Sequence, residues 1–227
     1  MNYSDLRRIG RENLAGNWGL SIGVALVAAL LGGLVAGGGF SFEADIDLEQ
    51  LRDLPDFVWP LVKAWLSFAG ILSLVQFILG GVVQLGYCTF LLNQHDRREL
   101  DFHDLFSQFH RFGQGFAQAF LRTLYSVLWG LLFIIPGIIK SISYSMAPFI
   151  MADNPDMSAK EAITASRELM DGHKGDSFVL GLTFIGWELL SVLTLGIGTL
   201  WLNPYMNATY AAFYRQILRE RKYAIED

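Results

Sequence analysis

The stretch SFVLGLTFIGWELLSVLTLGIGTLWLNPYMNATYAAFY, residues 177–214, contains a single charged residue, Glu188. A bilayer core about 30 Å thick is crossed by about 20 helical residues at about 1.5 Å each. One helix over the whole stretch would be roughly 57 Å long, which is too long for one crossing. The chain must therefore turn back, and Gly196-Ile197-Gly198 near the middle predicts the turn. These features are typical of a polytopic, all-α transmembrane helical bundle.

The composition of the chain agrees with a membrane protein. Of its 227 residues, 52% are hydrophobic and 17% are charged, whereas soluble domains carry about 25% charged residues. The net charge of −5 and the lack of a basic face argue against a nucleic-acid partner. The single cysteine, Cys88, excludes an internal disulfide. We therefore expect one integral membrane domain covering residues 1–227.

Two predicted spans precede the middle of the chain. Residues 18–40 form a charge-free run that is longer than the roughly 7–15 residues of a signal-peptide core, so we interpret it as a retained span. An acidic loop over residues 41–60 follows. The second span lies near residues 62–92 and is longer than a bilayer requires, so it should tilt or protrude.

The third apolar block, residues 123–152, carries only the charge of Lys140 and is interrupted by Pro136-Gly137. Pro removes a backbone donor and Gly lowers helix stability, so the block forms either one kinked helix or two short helices. We favour a tight outer turn at Pro136-Gly137. Six spans are then predicted, near residues 18–40, 62–92, 116–135, 137–152, 177–195 and 198–218.

The distribution of basic residues predicts the orientation, because Lys and Arg favour the cytoplasmic side. With six spans both termini are cytoplasmic, and the acidic loop lies outside. The basic residues on the predicted inner side are Arg7, Arg8, Arg11, Arg97, Arg98, Arg111, Lys160, Arg167, Lys174, Arg215, Arg219, Arg221 and Lys222.

Short amphipathic helices are expected on the cytoplasmic side. The spacing of Phe102, Leu105, Phe106 and Phe109 predicts one apolar helical stripe, and Asp101 is placed to cap that helix. These helices are expected to lie on the inner membrane surface or to pack beneath the bundle.

Two further segments fit the same description. Ser158 and Glu161 have the spacing of a capping box, and Gly172 is placed to end the helix that follows. Residues 2–16 contain three arginines and modest apolar periodicity, and they form either a surface helix or an extension of the first span.

Glu188 is the most chemically suggestive residue, because a carboxyl group deep in a membrane is costly and usually faces a bundle interior or a cavity. Gln76, Ser145 and Asn207 reach similar predicted depths and are candidate hydrogen-bond partners. This intramembrane polar cluster has two interpretations. A neutral Glu188 locks helices together, or the carboxyl group belongs to an ion, proton or ligand pathway.

Motifs for catalysis are largely absent. The sequence contains neither a phosphate-binding Gly-rich loop ending in Lys-Ser/Thr nor a G-x-S-x-G elbow. The four histidines include no pair at the i, i+4 spacing of a helical zinc site. We therefore expect no enzymatic activity, no cofactor and no metal.

Many short motifs resemble a family of bacterial integral membrane proteins known only as a domain of unknown function. They are RENL at 11–14, GNW at 16–18, IPGIIK at 135–140, YSMA at 144–147, ADNP at 152–155, EAI at 161–163, SR at 166–167, GHK at 172–174, FIGW at 184–187, GIG at 196–198 and PY at 204–205. A more distant similarity is to the membrane portion of glycerophosphodiester phosphodiesterases, whose catalytic domain has no counterpart in this chain. The resemblance implies a polytopic protein of the bacterial cytoplasmic (inner) membrane and supplies no catalytic residues.

The function expected from these features is that of a non-enzymatic accessory, scaffold or lipid-interacting membrane protein. The alternative is a small transporter or channel subunit that uses Glu188. Membrane lipids are the expected partners. Gly19 and Gly23, four residues apart in the first span, permit close helix contact, either within the bundle or in a homo-oligomer or with another membrane protein.

Overall fold

A computed structural model describes residues 2–34 and 59–226 of the chain. The regular secondary structure in these two ranges is entirely helical, which confirms the predicted all-α class. The outer part of the predicted span 18–40 and most of the acidic loop 41–60 lie outside the described residues.

The helices have the following bounds. They are α1 (Tyr3–Leu14), α2 (Trp18–Leu30), α3 (Trp59–His95), α4 (Phe112–Leu132), α5 (Ile134–Ser143), α6 (Ala147–Asp153), α7 (Ala159–Leu169), α8 (Lys174–Leu182), α9 (Ile185–Leu193) and α10 (Thr199–Glu226). Two 3-10 helices, Phe102–Phe106 and Phe109–Arg111, connect α3 to α4.

Helix length and composition support a membrane-spanning protein. Two helical segments, Trp59–His95 and Lys174–Leu193, are long and apolar enough to cross a bilayer. A third crossing is possible if α1 and α2, which meet at a bend of 100°, count as one broken span. Among the described residues, length and composition therefore support two or three crossings, and the predicted six are not established by them.

The N-terminal segment forms a helix separate from the first span. Asn2 caps α1 by accepting a hydrogen bond from the Ser4 N–H. Gly10 faces α10, where an added Cβ would collide with Thr209. The chain then bends at Gly16, whose φ of 84° lies in the left-handed region that favours glycine. Residues 3–14 therefore form a helix of their own, α1, which packs against α10.

The turn predicted at Pro136-Gly137 is misplaced, because the chain turns three residues before Pro136. The helix break lies at Phe133, whose φ of −159° and ψ of 139° are extended. Pro136 lies in the first turn of α5, where a missing N–H leaves no helical hydrogen bond unmade. Gly137 instead lets α5 approach α4, since a Cβ at this position would lie 2.7 Å from the Gly130 Cα. The block therefore forms two antiparallel helices, α4 and α5, and the alternative of one kinked helix is wrong.

The predicted turn at Gly196-Ile197-Gly198 is confirmed. Helix α9 ends at Leu193 and α10 begins at Thr199. Leu195 and Gly196 have φ values of 54° and 85°, so two successive left-handed residues reverse the chain. Ser191 faces Gly198 across this turn, where an added Cβ would lie 2.7 Å from the Ser191 Oγ.

The predictions of amphipathic helices are confirmed for one segment and only partly for another. Residues 102–109 form two 3-10 helices instead of one α-helix, although Asp101 caps the first of them and forms a capping box with Asp104. The capping box of Ser158 and Glu161 is confirmed at the start of α7. The apolar face of α7 is buried, and Gly172 follows the helix with a φ of 84°.

The protein core lies where the second half of α3 meets α6 and α10. Its largest fully buried side chains are Tyr87, Phe90, Phe149, Phe184, Phe213 and Tyr214. Large apolar side chains are exposed on the first half of α3, around the α4–α5 connection and around the α9–α10 turn. Those exposed segments have the chemistry of a surface that contacts lipid.

Candidate functional site

An apolar cavity of about 380 Å³ lies among α1, α2, α9 and α10. The bend between α1 and α2 brings Arg11, from the last turn of α1, to the same cavity as Trp18. Arg11 supplies the one charged side chain of the lining. The other residues that line this Arg11 cavity are Trp18, Trp187, Leu190, Ser191, Thr194, Gly198, Trp201, Leu202 and Tyr205.

The walls of the Arg11 cavity are built mainly from aromatic rings. Trp187 and Trp201 come from the two sides of the α9–α10 turn, so this turn sets their spacing. Tyr205 is held from behind by Phe184, with ring centroids 5.4 Å apart in an edge-to-face arrangement. The cavity thus combines a guanidinium group with rings that accommodate hydrocarbon.

A second cavity, of about 440 Å³, contains Glu188. We call it the Glu188 cavity. Its polar lining includes Ser145 from the α5–α6 connection, together with Ser141, Ser177 and Tyr210. Glu188 lies on α9 and is exposed, so its carboxyl group stands at the mouth of the cavity instead of within the bundle. Glu188 and Ser145 line one cavity, and no hydrogen bond between them is found among the described residues.

The other two members of the predicted polar cluster lie elsewhere. Gln76 lines a third cavity and donates a hydrogen bond of 3.2 Å to the Leu30 carbonyl oxygen. Asn207 is fully buried in α10 and donates to the Asn203 carbonyl oxygen at 2.8 Å. The structure therefore does not gather all four residues at one site, because equal depth along different helices does not place side chains on facing sides.

A cluster of ion pairs forms where α3 and α6 end and α10 passes both. The Arg215 guanidinium bridges two carboxylates, with distances of 2.6 Å to Asp96 and 2.5 Å to Asp153. The Tyr214 hydroxyl also donates to Asp153, at 3.2 Å. We call these residues the Arg215 cluster. Sequence reasoning missed it, because Arg215 and Asp96 are separated by 119 positions and no local pattern links them.

The N-terminal helix is held to α8 by a second group of polar contacts. The Tyr3 hydroxyl donates to Asp176 at 2.8 Å, and this hydrogen bond raises the pKa of Tyr3. His173 lies between Asp176 and Glu220, with nitrogen-to-oxygen distances of 3.3 and 3.8 Å. Within residues 2–34 and 59–226, no group of three or more His, Cys, Asp and Glu side chains could hold a metal ion.

Taken together, the two long apolar helical segments and the exposed apolar side chains support a helical membrane protein. Residues 130–222 match a family model described as "Protein of unknown function (DUF975)". No curated protein matches the chain. No solved structure matches it either. The matched region includes α5 to α9 and most of α10, so it contains the α9–α10 turn and the Glu188 cavity, whereas Arg11 and Trp18 lie outside it.

Proposed function

We propose that this chain is a non-enzymatic protein of the bacterial cytoplasmic membrane that binds lipid in the Arg11 cavity. The observation that carries the proposal is the combination of one guanidinium group with apolar aromatic walls. Hydrocarbon chains favour the aromatic walls, and an anionic headgroup favours Arg11. Such a protein would serve as an accessory or scaffold protein. The fraction of its Arg11 cavities that hold lipid would depend on the composition of the surrounding membrane.

The proposed topology has six passes with both termini in the cytoplasm. Contacts among the segments assigned to the inner side support it. Asn13 lies 3.1 Å from His95, Tyr3 bonds to Asp176, and Arg215 bonds to Asp96 and Asp153. Segments that meet through such polar and charged contacts are assigned to the same aqueous side, since charged groups are costly in lipid.

The lipid proposal is tested by fluorescence quenching. Trp59, Trp65 and Trp129 are replaced by Phe, so that emission comes from the three tryptophans of the Arg11 cavity. Vesicles of brominated phosphatidylglycerol are compared with vesicles of brominated phosphatidylcholine. We expect stronger quenching by the anionic lipid, because Arg11 attracts its headgroup.

Arg11→Gln should remove this preference for the anionic lipid. Arg8→Gln is the matched control, because Arg8 lies on the same helix and, among the residues that the structure describes, pairs only with Asp5 and Glu12. It should leave the preference unchanged. Equal quenching by the two brominated lipids in the protein that retains Arg11 would contradict the proposal.

The topology is tested by labelling single cysteines in intact cells after Cys88→Ala. An impermeant maleimide should label Cys at position 47, in the acidic loop, and should leave Cys at position 160 unlabelled until the cells are opened. Ready labelling of position 160 in intact cells would overturn the six-pass topology.

The Glu188 cavity supports a second candidate function, a small transporter or channel subunit. It places a carboxylate beside Ser145, Tyr210 and two further serines, a polar lining suited to a cation or to proton transfer. Glu188→Gln should keep the fold and abolish transport if the carboxylate titrates during function. Rescue by Gln, with loss of stability only in Glu188→Leu, would assign Glu188 a structural role.

Protein partners are proposed from Gly19 and Gly23 of α2, which are exposed and half-buried, respectively. An added Cβ at Gly19 or Gly23 meets no described atom within 4 Å, so this pair is not used for contact within the described chain. A second copy or another membrane protein is therefore a candidate for this face, in addition to lipid. Gly19→Leu should lower the oligomer fraction in a cross-linking assay if the face is an interface.

A further inference from the structure

The third cavity, of about 390 Å³, lies among α2, α3 and α4 and contains an arginine without a partner. Arg122 lines this cavity and is the one charged side chain of the lining. Within the described residues, its guanidinium forms neither a hydrogen bond nor an ion pair. We call this space the Arg122 cavity. It is separate from the Arg11 cavity, so the inference goes beyond the proposed function.

The position of Arg122 makes the missing partner costly. Arg122 lies near the middle of α4, a helix that runs from Phe112 to Leu132 and carries exposed apolar side chains on its second half. A guanidinium group removed from water without a counter-charge is unfavourable, and the cost is relieved by pairing with an anion. Ionisable groups at such positions mark ligand or ion sites more often than structural ones.

Two polar side chains that line the cavity, Gln76 and Gln84, donate to carbonyl groups at the end of α2 and just beyond it. Gln84 donates to the Leu34 carbonyl oxygen at 2.8 Å, as Gln76 does to Leu30. These two bonds satisfy carbonyl groups where α2 unwinds at Gly32, whose φ is 77°. Both glutamine amides therefore already donate to the backbone, and the Arg122 guanidinium is the charged donor of the cavity.

A second polar side chain on α4 also lacks a partner. Gln118 is fully buried, and neither of its amide atoms has a hydrogen-bond partner among the described residues. Gln118 and Arg122 are four residues apart, so they lie on the same face of the helix. Gln118 does not belong to the lining of the Arg122 cavity, so the Arg122 guanidinium is the charged donor that an acceptor group in this cavity would meet.

The remaining walls favour hydrocarbon. Phe77 meets Phe116 edge to face, with ring centroids 5.6 Å apart, and Phe120 stacks on Phe116 at 6.2 Å. Leu124 and Val127 extend the apolar lining along α4. A small hydrophilic anion such as phosphate would lose its hydration against these rings, whereas an acyl chain would gain from contact with them.

From this geometry we propose that the Arg122 cavity binds an anionic amphiphile, with its carboxylate or phosphate on the Arg122 guanidinium and its hydrocarbon chain along Phe77, Phe116 and Phe120. A free fatty acid and an anionic phospholipid share this chemistry. The cavity volume lies within the range of about 300–1,000 Å³ that is usual for ligand pockets.

The test uses the full chain in phosphatidylcholine nanodiscs and a long-chain fatty acid that carries a diazirine in its chain. We expect photo-crosslinks to map to residues 116–127 of α4 and to the facing part of α3. The methyl ester of the same acid has the same chain without the negative charge. The ester should crosslink at these positions at least about tenfold less than the acid. It lacks the charged oxygen that would accept a hydrogen bond from the Arg122 guanidinium.

Variants test the role of the guanidinium. Arg122→Gln should reduce crosslinking by the acid to the level of the ester, and Arg122→Lys should largely restore it. Lys140→Gln is the matched control, since Lys140 is another cation near the membrane core but stacks 4.8 Å over the Trp129 ring. It should leave crosslinking unchanged.

Competition identifies the source of the anionic group. Displacement of the probe by oleate but not by added phosphatidylglycerol assigns a free fatty acid, and the reverse result assigns an anionic phospholipid. Equal crosslinking by acid and ester in the unaltered protein would overturn the proposal without requiring any variant to fold. An Arg122→Gln protein that is folded and crosslinks as well as the parent would also overturn it.

Discussion

The two halves of α3 have similar composition and opposite surroundings. In the first half, Leu61, Phe68, Ile71 and Leu74 are between 60% and 70% exposed. In the second half, every residue from Gly80 to Cys88 is buried. One apolar helix of 37 residues therefore contacts protein along one half and faces outward along the other.

Glycine accounts for much of this difference. An added Cβ at Gly86 would collide with the Leu105 carbonyl oxygen, and one at Gly81 would collide with the Gly115 carbonyl oxygen. At Gly70, in the exposed half, an added Cβ would meet no described atom within 4 Å. Close helix contact requires the missing side chain in the second half of α3, whereas Gly70 serves no such contact with the described part of the chain.

The comparison teaches that hydropathy predicts which segments avoid water but not what replaces the water. Lipid and protein interior are equally suitable surroundings for Leu, Ile and Phe. Small residues that admit a neighbouring backbone distinguish the two surroundings, and they do so only when the neighbour is known.

The largest expected effect comes from Gly86→Ala. The new methyl group collides with backbone, which cannot rotate away, so we expect a loss of stability of about 1–3 kcal/mol or more. Gly70→Ala is the matched control and should leave stability unchanged or raise it by up to about 1 kcal/mol through helix propensity. Thermal unfolding in detergent measures both. Equal effects of the two substitutions would show that the halves of α3 are not packed differently.

Arg215→Gln should have the next largest effect. It removes a cation shared by Asp96 and Asp153, whose side chains are 26% and 29% exposed. Allowing for solvent screening, we expect a loss of about 1–2 kcal/mol. Arg8→Gln removes two pairs on α1 whose side chains are 51% to 55% exposed, and it should cause no measurable change. A melting temperature unaffected by Arg215→Gln would show that the Arg215 cluster does not stabilise the end of the bundle.

Ser158→Ala should destabilise α7 by about 1 kcal/mol, because it removes the N-cap of the helix. Thr164→Ala, on the exposed side of the same helix, is the control and should be nearly neutral. The Ser158 hydroxyl and backbone N–H both donate to Glu161, and these bonds lower the pKa of Glu161 below its ordinary value of 4.5.

A lowered pKa in the folded state stabilises the fold at pH values above the unfolded value, and the contribution is lost as pH falls through the folded value. The difference in melting temperature between Ser158→Ala and the parent should therefore be full at pH 7 and should shrink below pH 4.5. A difference that stays constant across this range would exclude a contribution from the Glu161 carboxylate.

The smallest effect is expected for Pro136→Ala. Pro136 lies in the first turn of α5, so the substitution restores an N–H that no helical carbonyl requires, and stability should change by less than about 0.5 kcal/mol. Gly137→Ala, one residue on, should cost more because its methyl group would press on Gly130. A large effect of Pro136→Ala would place the chain reversal at the proline, as the sequence suggested.

Residues whose structure depends on near neighbours could be predicted from the sequence. The capping box of Ser158 and Glu161, the cap at Asp101 and the turn at Gly196 all depend on a few consecutive residues, and all three are confirmed. The turn at Pro136 was misplaced because a proline fits both a turn and the first turn of a helix. The choice between them depends on Gly137 packing against Gly130.

The sequence by itself determined that this protein is helical and that its long apolar segments avoid water, because both properties follow from composition and spacing along the chain. Only the tertiary structure decided which polar groups meet. It brought Glu188 and Ser145 to the lining of one cavity, placed Gln76 in a different cavity and left Arg122 without a described partner. The physical reason is that the depth of a residue in a membrane follows from its position along its own helix. Contact between two side chains depends instead on how their separate helices are rotated and how they cross.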